Sequence, residues 1–340
     1  MNSNTLIRDS INHYCAKIGS DSMLVQGAGG NVSWKDGDTL WVKASGTWLA
    51  DSMTDDIFVS VDLAKLLTAV EIGNFAATPK LTCTSDLRPS IETMLHALMP
   101  HPVVVHLHPV EVMPFLVAQN CLDSLRSHIG GSLSWMVVDY FRPGWELAEA
   151  VSIALADKPI PDIVFLRNHG IIIGGPDVGH IDKMLRSLIK MLGQTCEFVR
   201  QLAVPLNLDT VNKAAYVLVD DIEVQQLVFD PTLIQHLTHH WALYPDHVVF
   251  LGSSPSIHKS LNDFSDYINQ AKDKPILVFI LGVGVFATNS FSITMRTQLR
   301  CYYDIVSRLN KDASVVQLFE NDVNELINFE SEKYRLINSK

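Results

Sequence analysis

His106 and His108 stand two residues apart in Pro102-Val103-Val104-Val105-His106-Leu107-His108, a run otherwise made of apolar side chains and one proline. Alternate residues of a strand share a face at a spacing of about 6.5 Å, so both imidazoles can converge on one metal ion. A third imidazole, His169, lies in Arg167-Asn168-His169-Gly170, between the apolar runs 163–166 and 171–173. A carboxylate, Glu92, stands fourteen positions before His106 in Pro89-Ser90-Ile91-Glu92. Three neutral imidazoles with one carboxylate or water describe an open, catalytic kind of zinc site rather than a closed structural one. Singly, each residue reads as a core histidine or a surface glutamate; together, in this order, they point to a metal. His236, His239 and His240 also have metal-capable spacing, but no acidic residue accompanies them, and they read as a solvated helical face.

The elements that must position these groups follow from periodicity and punctuation. Leu6, Ile7, Ile11, Tyr14, Cys15 and Ile18 recur at helical spacing before Gly19, which predicts an opening amphipathic helix. Gly27-Ala28-Gly29-Gly30-Asn31 leads into Val32-Ser33-Trp34, and Asp36-Gly37 separates this from Thr39-Leu40-Trp41-Val42-Lys43, the pattern of a hairpin. A dinucleotide fingerprint needs its glycines to open a helix that holds pyrophosphate at its N-terminus. Here they open a strand, so that class is set aside. A strand over 57–61, a helix over 63–70 capped by Asp62, and a helix over 89–98 carrying Glu92, with Pro89 near its first turn, come next. After the buried strand 103–108 the pattern gives helix 109–118, strand 134–140 and helix 145–156. Two strands flanking His169 and a helix over 178–202 follow.

A boundary near 207 divides the chain into a domain of residues 1–207 and a C-terminal α/β extension of residues 208–340. In the extension, strand, glycine turn, strand and helix over 276–309 faintly repeat the pattern around His169, with Val283 where the imidazole would sit; chance similarity of α/β pieces and internal duplication are both open readings of this. A degenerate repeat without metal, a lid or an oligomer interface are the expected roles of this extension.

At 340 residues, 47% apolar and 19% charged, the chain is globular and long enough for two domains. A net charge of -11, with no cluster of Lys and Arg, argues against a nucleic-acid surface. Five cysteines without a C-x-x-C spacing read as reduced thiols. The N-terminal residues lack the build of a signal peptide. The longest uncharged apolar run, over 275–287, is thirteen residues, too short to span a bilayer. The expectation is a cytoplasmic protein with neither a membrane nor a nucleic-acid partner.

The ordered set Gly29-Gly30-Asn31-Val32-Ser33, Ala44-Ser45-Gly46-Thr47, Pro89-Ser90-Ile91-Glu92, His106-Leu107-His108, Tyr140 and Asn168-His169-Gly170 resembles the class II aldolase/adducin family over residues 6–208. It is most similar to the L-fuculose-1-phosphate aldolase branch. Residues 319–335 further resemble the end of the aldolase half of bifunctional rhamnulose-1-phosphate aldolase/alcohol dehydrogenase proteins. The resemblance implies an α/β fold, a three-layer α/β/α sandwich around a mainly antiparallel sheet. It implies that His106, His108 and His169 hold Zn2+ or another divalent metal, with Glu92 as a fourth ligand and the catalytic acid/base. Tyr140 would handle the proton on the aldehyde oxygen in a neighbouring subunit's site, which implies a homo-oligomer, a tetramer among the expected states.

Gly30, Asn31, Ser45, Gly46 and Ser90 match the family's phosphate pocket, although Ile91 stands where those aldolases commonly have a second hydroxyl residue. The implied reaction is aldol cleavage of a ketose 1-phosphate or related hydroxy-keto compound through an enediolate on zinc, since a divalent metal can take up the electrons of the breaking bond on a carbonyl oxygen. Sugar-phosphate epimerases and dehydratases share this chemistry. A non-catalytic, adducin-like interaction module is the alternative of a different class.

Overall fold

The computed structural model describes residues 3–156, 159–193, 211 and 214–338. The chain divides into two compact units, Met1–Gly193 with Asn328–Ser339, and Gln194–Ile327. The first unit runs α1 (Ser3–Gly19), β1 (Asn31–Asp36), β2 (Thr39–Lys43), a 3-10 turn (Leu49–Met53), β3 (Phe58–Asp62), α2 (Leu63–Glu71), α3 (Thr93–Leu98) and β4 (Val103–Leu107). It continues with α4 (Met113–Val117), α5 (Cys121–Ile129), β5 (Trp135–Val138), α6 (Trp145–Leu155), β6 (Ile163–Leu166), β7 (Gly170–Gly175) and α7 (Val178–Leu192).

Seven strands form one mixed sheet in the order β3-β2-β1-β4-β7-β6-β5. Only β5 and β6 are parallel; the other neighbours are antiparallel. The β1–β2 hairpin closes at the pair Asp36↔Thr39, where Gly37 takes φ 55°, a left-handed conformation that costs glycine little. Asp62 caps α2 by accepting from the Lys65 amide at 3.0 Å. One face of the sheet presents Val104, Val164, Leu166 and Ile172 to Met94, Leu95 and Ala97 of α3 and to Leu147, Ala148 and Val151 of α6. Side chains of opposite parity point the other way, and α7 packs on β7 and against α1 and α5. Residue 106 shares the parity of Val104, so its imidazole belongs to the α3 face.

Three elements depart from the sequence expectation. The helix expected over 89–98 begins only at Thr93, and Glu92 is its capping residue. Residues 88–90 are drawn into extended pairing instead: Ala44 bridges Pro89, the Ser45 amide donates to Arg88 O at 2.9 Å and the Ser90 amide to Lys43 O at 3.2 Å. The strand expected over 134–140 ends at Val138, and α5 was not anticipated although Cys121, Leu125 and Ile129 form its buried stripe. The helix over 178–202 is described as far as Leu192. The remainder, the boundary at 207 and Cys196 lie outside the described residues.

The second unit contains β8 (Tyr216–Leu218), a 3-10 turn (Val224–Val228), α8 (Pro231–His239), α9 (Pro245–Leu251), β9 (Ser256–His258), α10 (Leu261–Gln270), β10 (Leu277–Ile280), β11 (Gly284–Thr288), α11 (Ile293–Val306) and α12 (Glu320–Asn328). Its sheet has the order β8-β11-β10-β9, over a core of Tyr216, Phe264, Val278, Ile280 and Phe286. His236, expected on a solvated face, is fully buried. It shares the inward stripe of α8 with Leu233 and Leu237, and its Nδ1 lies 3.0 Å from His240 Nδ1. The last described helix, α13 (Glu330–Asn338), belongs to the first unit, whereas the sequence reading grouped it with the extension. Among the described residues, Cys15, Cys83, Cys121 and Cys301 are free thiols, and no helix is long and apolar enough to cross a membrane.

Candidate metal centre

β4 is an interior strand, paired to β1 on one side and β7 on the other. His106 therefore has both backbone neighbours fixed, opposite Asn31 and Ile172. His108 lies just past the strand end, yet its backbone is clamped: its amide donates to Leu24 O at 3.3 Å, and its carbonyl accepts from Gln26 Nε2 at 3.2 Å. His169 sits in the turn between β6 and β7, where Asn168 takes φ 51°. That left-handed step, tolerated by asparagine better than by most residues, lets β7 start at Gly170 directly beneath the rings. A ring nitrogen from each of the three histidines lies within 4.8 Å of the others. All three side chains are buried.

Glu92 reaches the same point from the start of α3. Its Oε2 is 3.5 Å from His106 Nε2 and its Oε1 is 3.4 Å from His169 Nε2. Oε2 also accepts from Asn31 Nδ2 at 2.7 Å, while Oε1, though buried, has no hydrogen-bond partner. A buried carboxylate is costly unless a cation or donor faces it.

The donor chemistry fits a metal. Ile171 O can only accept, so its 2.9 Å contact with His106 Nδ1 places the proton on Nδ1 and leaves the Nε2 lone pair aimed at Glu92 and His108. Such a backbone partner is the usual way a metal-binding imidazole is oriented. His106 Nε2 and His108 Nε2 are 3.1 Å apart, close to the edge of about 3.3 Å that zinc–nitrogen bonds near 2.05 Å give in a tetrahedron. Burial, and then the charges of His106, His108 and Arg335, hold His169 well below the ordinary histidine range, so it is neutral, the form that ligates.

The candidate substrate loops are stitched together beside this cluster. Gly30, at φ 67°, brings the start of β1 so close to β4 that a Cβ would stand 3.0 Å from His106 O. Gly46 takes φ 82°. Lys43, buried at the end of β2, donates from Nζ to Ala28 O at 3.1 Å and Thr47 O at 2.6 Å, tying the glycine loop to the Ser45-Gly46 turn. The Ser90 hydroxyl accepts from the Glu92 amide at 3.2 Å, which fixes the approach to α3. Tyr140 is half-buried in the irregular stretch after β5.

Sequence reasoning missed Gln26, Lys43 and the contact of His96 Nδ1 with Ser33 Oγ at 2.8 Å. Strand alternation puts Lys43 on the outer face with Trp41; its ammonium is taken up by the turn that follows it, at Thr47 O, and by the glycine loop, at Ala28 O. His96, pushed down to about 3 by burial and then by His106 and Lys35, supports α3 as a neutral imidazole.

Residues 10–192, more than half of the chain, match the family model for the Class II Aldolase and Adducin N-terminal domain. YuxG of Bacillus subtilis (strain 168), named as an uncharacterized oxidoreductase, is 30% identical over 174 residues, 46% of this chain and 25% of that protein. The chain thus spans about a quarter of the length of the curated relative it matches. Among solved structures, the N-terminal class II aldolase domain of a conserved protein from Thermoplasma acidophilum is similar at 26% identity and a TM-score of 0.47, over 54% of this chain and 91% of that one. The L-fuculose-1-phosphate aldolase from Thermus thermophilus is similar at 16% identity and a TM-score of 0.38, over 55% and 91%.

Proposed function

The chain belongs to the class II aldolase and adducin family, and from that premise we propose that its first unit is a metal-dependent aldolase acting on a ketose 1-phosphate or a related hydroxy-keto compound. The observation that supports this most is the meeting of three buried imidazoles with one carboxylate. A family member serving only as an interaction module has no use for three ring nitrogens gathered around a buried carboxylate.

His106, His108 and His169 would hold a divalent metal, zinc being the ion that their nitrogen donors and spacing suit best. When bound, the metal polarises the substrate carbonyl and its neighbouring hydroxyl and stabilises negative charge on oxygen. The protein does the rest. Asn31 donates to Glu92 Oε2 and so fixes the carboxylate's rotamer, leaving Oε1 to face the substrate. In cleavage the hydroxyl proton of the departing fragment leaves, the carbon–carbon bond breaks, and its electron pair moves to the ketone. Glu92 then delivers a proton to the carbon that has lost its partner, and in the reverse direction it removes that proton. Tyr140 is the candidate for the hydroxyl proton, in a site shared between copies of a homo-oligomer. Gly30, Asn31, Ser45, Gly46 and Ser90 offer amides and hydroxyls to a phosphate.

The test combines metal analysis with a screen of ketose 1-phosphates and their unphosphorylated forms. Wild-type protein should carry zinc and release an aldehyde with dihydroxyacetone phosphate. Glu92→Gln should keep the fold while losing about 10²–10⁴-fold in rate. A folded wild-type protein without metal, or a Glu92→Gln variant at the wild-type rate, would refute the reading.

A further inference from the structure

α13 carries the chain back to the first unit and lies against three of the segments around the metal cluster. Asn338 Cβ is 3.1 Å from where a Cβ on Gly46 would stand. The Arg88 guanidinium stacks over the Tyr334 ring at 4.3 Å, two residues before Ser90. Phe329, just before the helix, takes Arg142 over its ring at 4.9 Å and lies 4.0 Å from the Cβ position of Gly144. Between these anchors the helix presents an ion pair, Arg335 with Glu332 at 3.3 Å, their side chains 14% and 2% exposed. Arg335 stands three residues before Asn338, so the two side chains are neighbours on one face of α13, the face that meets the Gly46 turn.

Building on the reading above, we propose that Arg335, oriented by Glu332 and carried by α13, is a substrate-positioning residue that binds the terminal anion of the molecule in the metal pocket. A guanidinium has five N–H donors in a rigid fork, so one that serves Glu332 can also meet the oxygens of a phosphate or carboxylate. The loops already assigned to phosphate offer neutral amides and hydroxyls, with the Lys43 ammonium between them donating to the Ala28 and Thr47 carbonyls, and Arg335 adds a second positive charge in the form of a bidentate fork. It also discriminates: an uncharged substrate entering the pocket would forgo the charge-assisted contact that an anionic one makes.

The experiment titrates the zinc-treated 340-residue chain calorimetrically with inorganic phosphate and, in parallel, with glycolate, and measures zinc content. Arg335→Gln should weaken the anion that binds by about 10- to 100-fold with zinc stoichiometry unchanged; Arg335→Lys should recover part of the loss. With a ketose 1-phosphate, KM should rise more than kcat falls. A wild type that binds zinc and anion with affinities indifferent to Arg335 overturns this inference alone, as does a wild type that binds neither anion. A wild type that binds phosphate through Arg335 but no zinc overturns the metal-aldolase reading and leaves this assignment standing.

A separate observation concerns the second unit. Its sheet order β8-β11-β10-β9 reproduces β4-β7-β6-β5 of the first, with the same parallel pair (β9–β10, β5–β6) and the same antiparallel ones. In both units a helix joins the parallel strands and another follows the last strand. The turns agree bond for bond. Arg167 N to Val138 O and Leu281 N to His258 O are both 2.9 Å; His169 N to Leu166 O and Val283 N to Ile280 O are 3.2 and 3.0 Å. Asn168 and Gly282 both take positive φ, 51° and 68°.

From these matches we infer that the second unit is a copy of the metal-bearing half of the first, with its donors replaced. A constant offset of 114 residues, from Leu166↔Gly170 to Ile280↔Gly284, sets Val283 at the place of His169. The pairing Phe286↔Leu218 against Ile172↔His106 sets Leu218 at the place of His106, and hence Asp220 at that of His108. The cradle is thus expected to survive without its imidazoles. Leu218→His with Val283→His, keeping Asp220 as a third donor, should raise zinc from one to two ions per chain. The same two histidines at Val217 and Val283, one residue out of register, should not. Both sets of positions are half-buried or exposed, and circular dichroism checks the fold. A folded in-register variant that still binds one ion, or an out-of-register variant that binds two, overturns the inference.

Discussion

Replacing Gly170 by alanine tests whether the sheet, rather than the imidazoles alone, sets the metal geometry. A Cβ at this position would stand 2.4 Å from Leu107 O, 2.7 Å from His108 Cδ2 and 3.2 Å from His106 Cε1. The first two distances are below any contact that side chains tolerate, and the first is to backbone, so β7 must draw away from β4 and the His108 ring must also give way. Movement of β7 disturbs Ile171 O, the acceptor that orients His106. Overpacking of this kind costs about 1–3 kcal/mol; for a unit of this size that is a fall in Tm of roughly 2–12 °C. Loss of an orienting contact typically weakens metal binding about 10- to 100-fold. Zinc affinity by competition with a chromophoric chelator, with Tm of the apo and zinc-loaded protein, reads both effects. Gly131→Ala is the control, because nothing lies within 4 Å of its Cβ position. A folded Gly170→Ala protein with wild-type zinc affinity would show that the rings place themselves independently of β7.

Three further outcomes are expected. His96 is neutral when folded and is held down to about 3, so below pH 6.5 the unfolded chain binds a proton that the folded one refuses. Stability therefore falls by up to about 1.4 kcal/mol per pH unit as pH drops from 6.5 toward 3, and urea unfolding of His96→Gln should show a shallower acid slope. Asn31→Ala leaves Glu92 Oε2 without its buried donor, a loss of about 1–3 kcal/mol that should appear as a roughly 5- to 160-fold lower kcat with zinc retained. In the second unit Arg300 holds Asp221, Glu223 and Asp304. Arg300→Gln should cost about 1–3 kcal/mol at pH 7, less than a fully buried pair because the guanidinium is 36% exposed; the deficit should shrink at pH 4, where Asp304, raised by burial, takes up its proton.

Local pattern carried much of the sheet and the three imidazoles. His106 and His108 announced a strand by their apolar neighbours, Asp36-Gly37 announced the hairpin, and Asp62 announced α2, because each signal lies within a few residues of what it specifies. Glu92 was identified as a candidate but misplaced in a helix, since the pairing that keeps residues 88–90 extended comes from β2, over forty positions away. Lys43 and Gln26 escaped in part for the same reason: beside a carbonyl four residues away, Lys43 serves Ala28 O and Gln26 serves His108 O, which sequence spacing does not bring near. The contacts of α13 with the loops at Gly46 and Arg88 are likewise set by tertiary return of the chain, which no periodicity within 330–338 reveals.

The first unit is interrupted: its final helix is separated from the rest by the 134 residues from Gln194 to Ile327. A ribosome working at about 5–20 residues per second needs roughly 7–27 s to cover that stretch. Throughout that interval the nascent polypeptide has all four candidate metal donors but not Arg335. If the donors and Arg335 act as proposed, a product terminated anywhere within that stretch would possess every nitrogen and oxygen assigned to the ion and lack the one cation assigned to the substrate.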